Sequence, residues 1–340
     1  MRILSYKSYA LCLCILLIPT IFLFGGCGKN DTVPQIVFTT ELKENEIFRI
    51  ERESCTWAEM RVYLTTTKNQ YESVYGEQIW DISQDGYTLE DRIKENVLAK
   101  IAQIKTMYLM ALDRGVVLTD KEEQSVLNAA SDYFDTLNET EIEAMQVDIS
   151  LIENMYRQYA YASKVYQQII GELDPEISDD EARIVTVNQI FLEGKTEETV
   201  REVNEIYALA LLGADDFETL ALVHSDSDTI TDSFGVGERE SAIWQAAFEL
   251  ATEQISPIIE TKNGFYILKC VTTLQREETD INKQRIATQR KKEVFGEDYN
   301  AYVGGLVRIL NEEAWANVTF LQDERITTAD FFVCYAKYFI

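Results

Sequence analysis

The chain has 340 residues, with 31 basic against 58 acidic side chains for a net charge of −27, and a single histidine. Its 46% hydrophobic content and four prolines supply apolar surface for packed cores, which argues against whole-chain disorder. The charge argues against a nucleic-acid binder and against adhesion to an anionic lipid surface by charge alone, since both need clustered Lys and Arg. A histidine-rich metal site is excluded by count, and a Ser-His-Asp triad would need His224.

Arg2 and Lys7 precede an apolar run from Tyr9 to Phe24, and Gly25, Gly26 and Cys27 follow it. A basic start, an apolar stretch and small residues read as a targeting segment over 1–26. Pro19 interrupts the run, which is short for a membrane span. A plain signal peptide or a short anchor helix fits. Leu23-Phe24-Gly25-Gly26-Cys27 also resembles a bacterial lipoprotein signal, in which Cys27 carries lipid and serves as the tether. Cys55, Cys270 and Cys334 then remain, an odd number at distant positions without CxxC spacing, so at most one pair forms and three buried thiols are expected.

Residues 27–45 read as a linker, and the stretch after it as helical. Thr56-Trp57-Ala58-Glu59, Thr119-Asp120-Lys121-Glu122 and Thr140-Glu141-Ile142-Glu143 match the capping box. Leu89, Ile93, Val97, Ile101, Ile104, Tyr108 and Leu112 form one apolar helix face over 89–114, and a further helix is expected over 149–170. Pro175 and Ser178 mark a boundary. Beyond it, Ile184 to Phe191 reads as a strand, 196–212, 216–223 and 243–250 as helices, and 257–261 and 265–273 as strands joined at Asn263-Gly264. The chain turns helical again from Thr279 to about Glu313, and its aromatic tail is expected to dock.

Several pieces of the middle region occur in one order. Gly213 to Ala221 is similar to a "G-x-x-F-x-x-L-A" helix start, and Ser225-Asp226-Ser227 with Phe234-Gly235 to an acidic loop. Trp244 to Leu250 is similar to "F-x-x-A-A-F-x-L", with Ala246, Ala247, Phe248 and Leu250 on its last five positions. Ile255-Ser256, Thr261 and Gly264 to Lys269 follow "I-S…T…G-Y-H-I-I-K". Together they resemble the parvulin-type peptidyl-prolyl isomerases. With the leader and the helical flanks, the chain resembles the PrsA-type extracytoplasmic foldases, whose N-terminal part is similar to that of SurA-type chaperones.

The resemblance implies an α+β chain, with a parvulin (FKBP-like) domain over 177–275 inserted between a helical chaperone-like segment, 46–176, and a returning C-terminal segment, 276–340. It also implies an extracytoplasmic, lipid-anchored protein whose partners are unfolded or newly secreted polypeptides and the membrane, without nucleic acid, metal or cofactor. Gln189 and Tyr266 stand where the family has two His, and Ser227 where it has Cys or Asp. These three are the catalytic candidates. Phe234, Trp244, Phe248 and Thr261 are the substrate-binding candidates. His224 matches neither His position and reads as structural.

Rotation about a prolyl bond must cross an amide-resonance barrier of roughly 18–20 kcal/mol. It needs an apolar grip on the ring and polar groups that favour the twisted amide, not a nucleophile. Gln189, Ser227 and Tyr266 can all donate hydrogen bonds. Two functions therefore stand: an isomerase that assists secreted chains, or a holdase whose helical part carries the work while the middle domain is a weak or inactive scaffold. A two-lobed solute receptor is disfavoured because repeated βα lobes are missing.

Overall fold

The computed structural model describes residues 42–213 and 215–339, so the expected leader over 1–26, the expected lipid site at Cys27 and most of the expected 27–45 linker lie outside the described residues. In chain order the elements are β1 (Glu46–Ile50), β2 (Glu53–Thr56), α1 (Trp57–Tyr75), a 3-10 turn (Glu77–Asp81), β3 (Ser83–Gln84), β4 (Tyr87–Thr88), α2 (Leu89–Asp113), α3 (Asp120–Phe134), α4 (Glu139–Met145) and α5 (Ile149–Gly171). There follow α6 (Asp179–Ala182), β5 (Val185–Glu193), α7 (Glu197–Leu212), α8 (Phe217–His224), β6 (Thr231–Phe234), α9 (Ser241–Glu249), β7 (Ile259–Glu260) and β8 (Gly264–Thr272). The last are α10 (Arg276–Gly304), β9 (Arg308–Leu310), α11 (Glu312–Ala316) and α12 (Phe331–Ala336). The chain is α+β, and residues 169–298 form a compact unit inserted between the two segments, up to 168 and from 299, of another.

In the discontinuous unit the helix starts follow local chemistry. Thr56, Thr88 and Thr119 accept from the N–H of Glu59, Asp91 and Glu122, and each acid reaches back to its threonine's N–H. These reciprocal bonds satisfy amides that an α-helix leaves open at its start. The expected box at Thr140 is corrected: Asn138 caps α4, with Glu141 as its partner. Both frames fit the pattern, and the tail selects between them, because Glu141 Oε1 also accepts from Thr327 N (2.7 Å) and Thr328 Oγ1 (2.9 Å).

Two further expectations fail here. The stretch from residue 46 begins with strands, and 279–313 is not one helix but α10, β9 and α11. β1 is the centre of an antiparallel sheet in the order β2-β1-β9, with Arg49 opposite Ile309. A five-residue strand whose partner lies some 260 residues away leaves little local periodicity to read. The tail docks as expected: Phe331 of α12 is fully buried among Tyr63, Tyr133 and Tyr156. Cys55 and Cys334 are buried free thiols in this unit, as is Cys270 in the other.

The inserted unit is built on an antiparallel sheet in the order β6-β5-β8-β7. Alternation along β5 and β8 sends Ile190, Leu192, Phe265 and Ile267 to one face, against α7 and α8. Val187, Leu268 and Cys270 go to the other, against Ile243 and Ala247 of α9. The first turns of α10 clamp the entry to β5, with Thr279 Oγ1 accepting from Ile184 N (3.0 Å) and Asn282 Nδ2 donating to Ala182 O (2.9 Å).

Gly264, at the start of β8, has φ +157° and no room for a side chain: a Cβ there would lie 1.9 Å from the Leu192 carbonyl oxygen. Gly264→Ala is expected to destabilise the inserted unit by roughly 1–3 kcal/mol, the usual range for overpacking. The check is the urea dependence of amide protection in β5 and β8, with α2 and α3 as internal controls.

Candidate functional site

The α9-facing side of the sheet carries the polar groups that the sequence singles out. Gln189 lies opposite Leu268 and Phe191 opposite Tyr266, so Gln189 and Tyr266 share one face on neighbouring strands. The acidic loop is stitched to the edge of β5. Asp226 N donates to Phe191 O (2.8 Å), Glu193 N to Asp226 Oδ2 (2.8 Å), and Gln189 N to Ile230 O (2.7 Å). Ser225 Oγ accepts from Phe191 N (3.1 Å) and from Ser227 N (3.2 Å). The loop is therefore an ordered continuation of the ladder.

One carbonyl joins two of the candidates. Gln189, 2% exposed, donates from Nε2 to Thr229 O at 2.8 Å. Ser227 Oγ donates to the same oxygen at 3.3 Å and accepts from Thr229 N at 3.2 Å. The side-chain donors of Gln189 and Ser227 thus point at protein. Tyr266 differs: its ring lies 4.6 Å from that of Phe191, and among the described residues its hydroxyl has no partner. Burial holds its phenol above the usual pKa, with Arg239 acting against the shift, so it remains a proton donor at neutral pH.

Arg239 is the residue that sequence reasoning missed. One of its terminal nitrogens donates to Gln189 Oε1 at 3.2 Å, and the other lies 3.1 Å from Asp232 Oδ2. The second contact is an ion pair without hydrogen-bond alignment, since Asp232 Oδ2 is buried with no well-directed donor. The guanidinium carbon sits 5.9 Å from the centre of the Phe234 ring. The turn before Arg239 is fixed by Gly237 at φ +76°, by Gly235 N donating to Glu238 Oε2 (2.8 Å), and by Arg285 donating to Glu238 Oε1 (2.6 Å). The motifs quoted from the sequence stop short of position 239 on either side. The usable signal was a lone cation at the start of a helix that packs on the sheet.

The substrate-binding candidates divide. Trp244 and Phe248 are partly exposed on α9, edge to face at 5.9 Å, and Arg183 lies 4.5 Å over the Phe248 ring. Both pack on the same apolar cluster as Tyr266. Phe234 is buried in that cluster and supports the site from within. Thr261 is buried in the turn before β8, where its N–H (2.8 Å) and its hydroxyl (3.0 Å) both donate to Gly264 O. His224 ends α8, half-buried beside Glu202, Glu205 and Leu209 of α7, on the opposite side of the sheet from Gln189.

Residues 184–272, the sheet with its helices, match the family model described as Rotamase: PPIC-type PPIASE domain. Over 265 residues the chain is 23% identical to a protein named Foldase protein PrsA from Caldanaerobacter subterraneus subsp. tengcongensis, covering 75% of this chain and 83% of that one. It is 22% identical over 258 residues to one of the same name from Clostridium acetobutylicum, covering 67% and 76%. Among solved structures, a peptidylprolyl isomerase (PrsA) from Bacillus cereus covers 74% of this chain and 97% of its own, at 18% identity and a TM-score of 0.37.

Proposed function

We propose that this chain is a folding factor for exported polypeptides, whose inserted domain binds prolyl segments and speeds their cis–trans rotation. The observation that carries this reading is the match of residues 184–272 to a rotamase domain, supported by two relatives that carry the name foldase. The clients are unfolded or newly secreted chains outside the cytoplasm. The tether is a lipid on Cys27, supported by the Leu23–Cys27 pattern. No helix among the described residues is long and apolar enough to cross a membrane.

In this reading the partly exposed Trp244–Phe248 pair grips the proline ring, and polar groups near Tyr266 act on the amide. Truncating a partly buried aromatic removes binding shared by ground and transition states. Trp244→Ala is therefore expected to raise KM for a proline-containing peptide roughly tenfold or more, with a smaller change in kcat. The assay is prolyl isomerisation on the protein without residues 1–26. A wild type that gives no acceleration overturns the isomerase reading.

One observation favours the second reading, a holdase with a catalytically weak domain. The donors of Gln189 and Ser227 are both turned onto the Thr229 carbonyl, away from any substrate. A folded wild type that suppresses aggregation of an unfolded client without accelerating prolyl exchange would establish it.

A further inference from the structure

We propose that Arg239 is the catalytic cation of the inserted domain, a guanidinium held by Gln189 and Asp232 that donates a hydrogen bond to the prolyl nitrogen as the amide twists. The inference rests on the isomerase reading above and names the group that does its chemistry.

The reaction itself says which donor helps. In the planar amide the nitrogen lone pair is delocalised into the carbonyl, and the nitrogen is a poor acceptor. At the twisted geometry the lone pair returns to nitrogen, which becomes a good one. A donor directed there is stronger in the transition state than in the ground state, which is the condition for acceleration. A donor to the carbonyl oxygen would favour the planar form instead.

Among Gln189, Ser227, Tyr266 and Arg239, the polar groups gathered around β5 and the acidic loop, two keep donors for a substrate. Gln189 Nε2 and the Ser227 hydroxyl are occupied by Thr229 O. Tyr266 keeps a neutral O–H. Arg239 has five N–H donors, of which one goes to Gln189 and another faces Asp232. Its side chain remains 32% exposed, so the remaining donors are reachable by a bound peptide. Of the two, only Arg239 brings charge, and charge-assisted hydrogen bonds are roughly twice as strong as neutral ones.

The site also holds Arg239 still. Gln189, its carbonyl end bonded to Arg239 and its amide end to Thr229, fixes one side of the guanidinium. Asp232 holds the other, and the Phe234 ring lies beneath. Gln189 is by this account a positioning residue, which gives a physical use to a glutamine at that place in the strand. No bond is made or broken in the step: the proton stays on nitrogen of Arg239, and the amide rotates beside it.

The test is exchange NMR of cis and trans prolyl signals in an Ala-Pro peptide, with the full chain in detergent and no protease. Arg239→Met is expected to lower kcat/KM roughly tenfold to a hundredfold, the loss of one hydrogen bond from a charged group. The peptide Kd is expected to stay near the wild-type value, and the thermal midpoint to fall because Asp232 loses its counter-charge, so rates are compared at a temperature where both proteins are folded. Arg239→Lys should recover part of the rate. Gln189→Leu should lose less than Arg239→Met, and the double variant should be no slower than Arg239→Met alone. Wild-type rate in Arg239→Met overturns this inference and leaves the isomerase reading standing. Gln189→Leu as slow as Arg239→Met with Arg239→Lys unrescued also overturns it, since Gln189 would then be the acting group. A wild type without activity overturns both.

Discussion

Phe331→Ala is expected to unfold the discontinuous unit at markedly lower denaturant. The ring is 0% exposed and stacks on Tyr156 at 4.1 Å and 11°, with Tyr63 and Tyr133 tilted against it at 5.2 and 5.4 Å. Its carbonyl accepts from the Tyr156 hydroxyl at 2.8 Å. Asp330 caps the short helix α12 by accepting from Phe332 N and Val333 N. A phenylalanine truncated in such a setting leaves a cavity among rigid rings, and typically costs about 3–5 kcal/mol. Whole domains are stable by only about 5–15 kcal/mol. The urea midpoint for amide protection in α3 and α5 should fall accordingly, while β5 and β8 of the inserted unit keep theirs. Removal of residues 327–340 should do more, because Glu141 then loses both threonine partners along with the aromatic plug.

Lys105→Met is expected to cost the same unit about 3–5 kcal/mol, the range for breaking a buried ion pair from one side. Lys105 is 1% exposed and Glu59 3%, with the ammonium 2.6 Å from Glu59 Oε1 and 3.0 Å from Gln158 Oε1. Removal of the cation strands a carboxylate out of water and leaves Gln158 without its donor. Glu59 cannot swing out to solvent cheaply, since its other oxygen accepts from Thr56 N at 2.7 Å to start α1. The thiol of Cys55 is pushed well up by burial and next by the charge of Glu59, with Lys105 acting in the opposite direction. Lys105→Met with Glu59→Gln should regain much of the loss, since the neutral amide removes the buried charge. The measurement is a double-mutant cycle in urea, and a single Lys105→Met variant as stable as wild type would refute the account.

The inserted unit was the most legible part of the chain. Its strand at 184–191, its short helices and the Asn263-Gly264 turn all stand close to where local pattern places them. Position, however, did not disclose use. Thr261 and Phe234 look like binding residues by their place in the motif, and in the fold one locks a turn and the other fills a core. Gln189 and Ser227 look like free donors, and both are turned onto one backbone carbonyl. Which way a side-chain amide or hydroxyl points depends on its neighbours in space, and these lie 40 or more residues away for Gln189.

The sequence by itself determined the long helices that follow Thr56, Thr88 and Asp148, the reciprocal caps at Thr56 and Thr119, and the order of the main strands and helices across 184–272. Those features rest on contacts three and four residues apart, or on alternation within one strand, so they are written in local spacing. Only the tertiary structure decided that Arg308–Leu310 returns to pair with Glu46–Ile50, that Asn138 caps α4, that Lys105 meets Glu59 in the core, and that Arg239 joins Gln189. Each of these needs two distant segments brought together, or depends on a segment that is. Burial of apolar surface drives that closure, and no short-range pattern records which distant partner will be waiting.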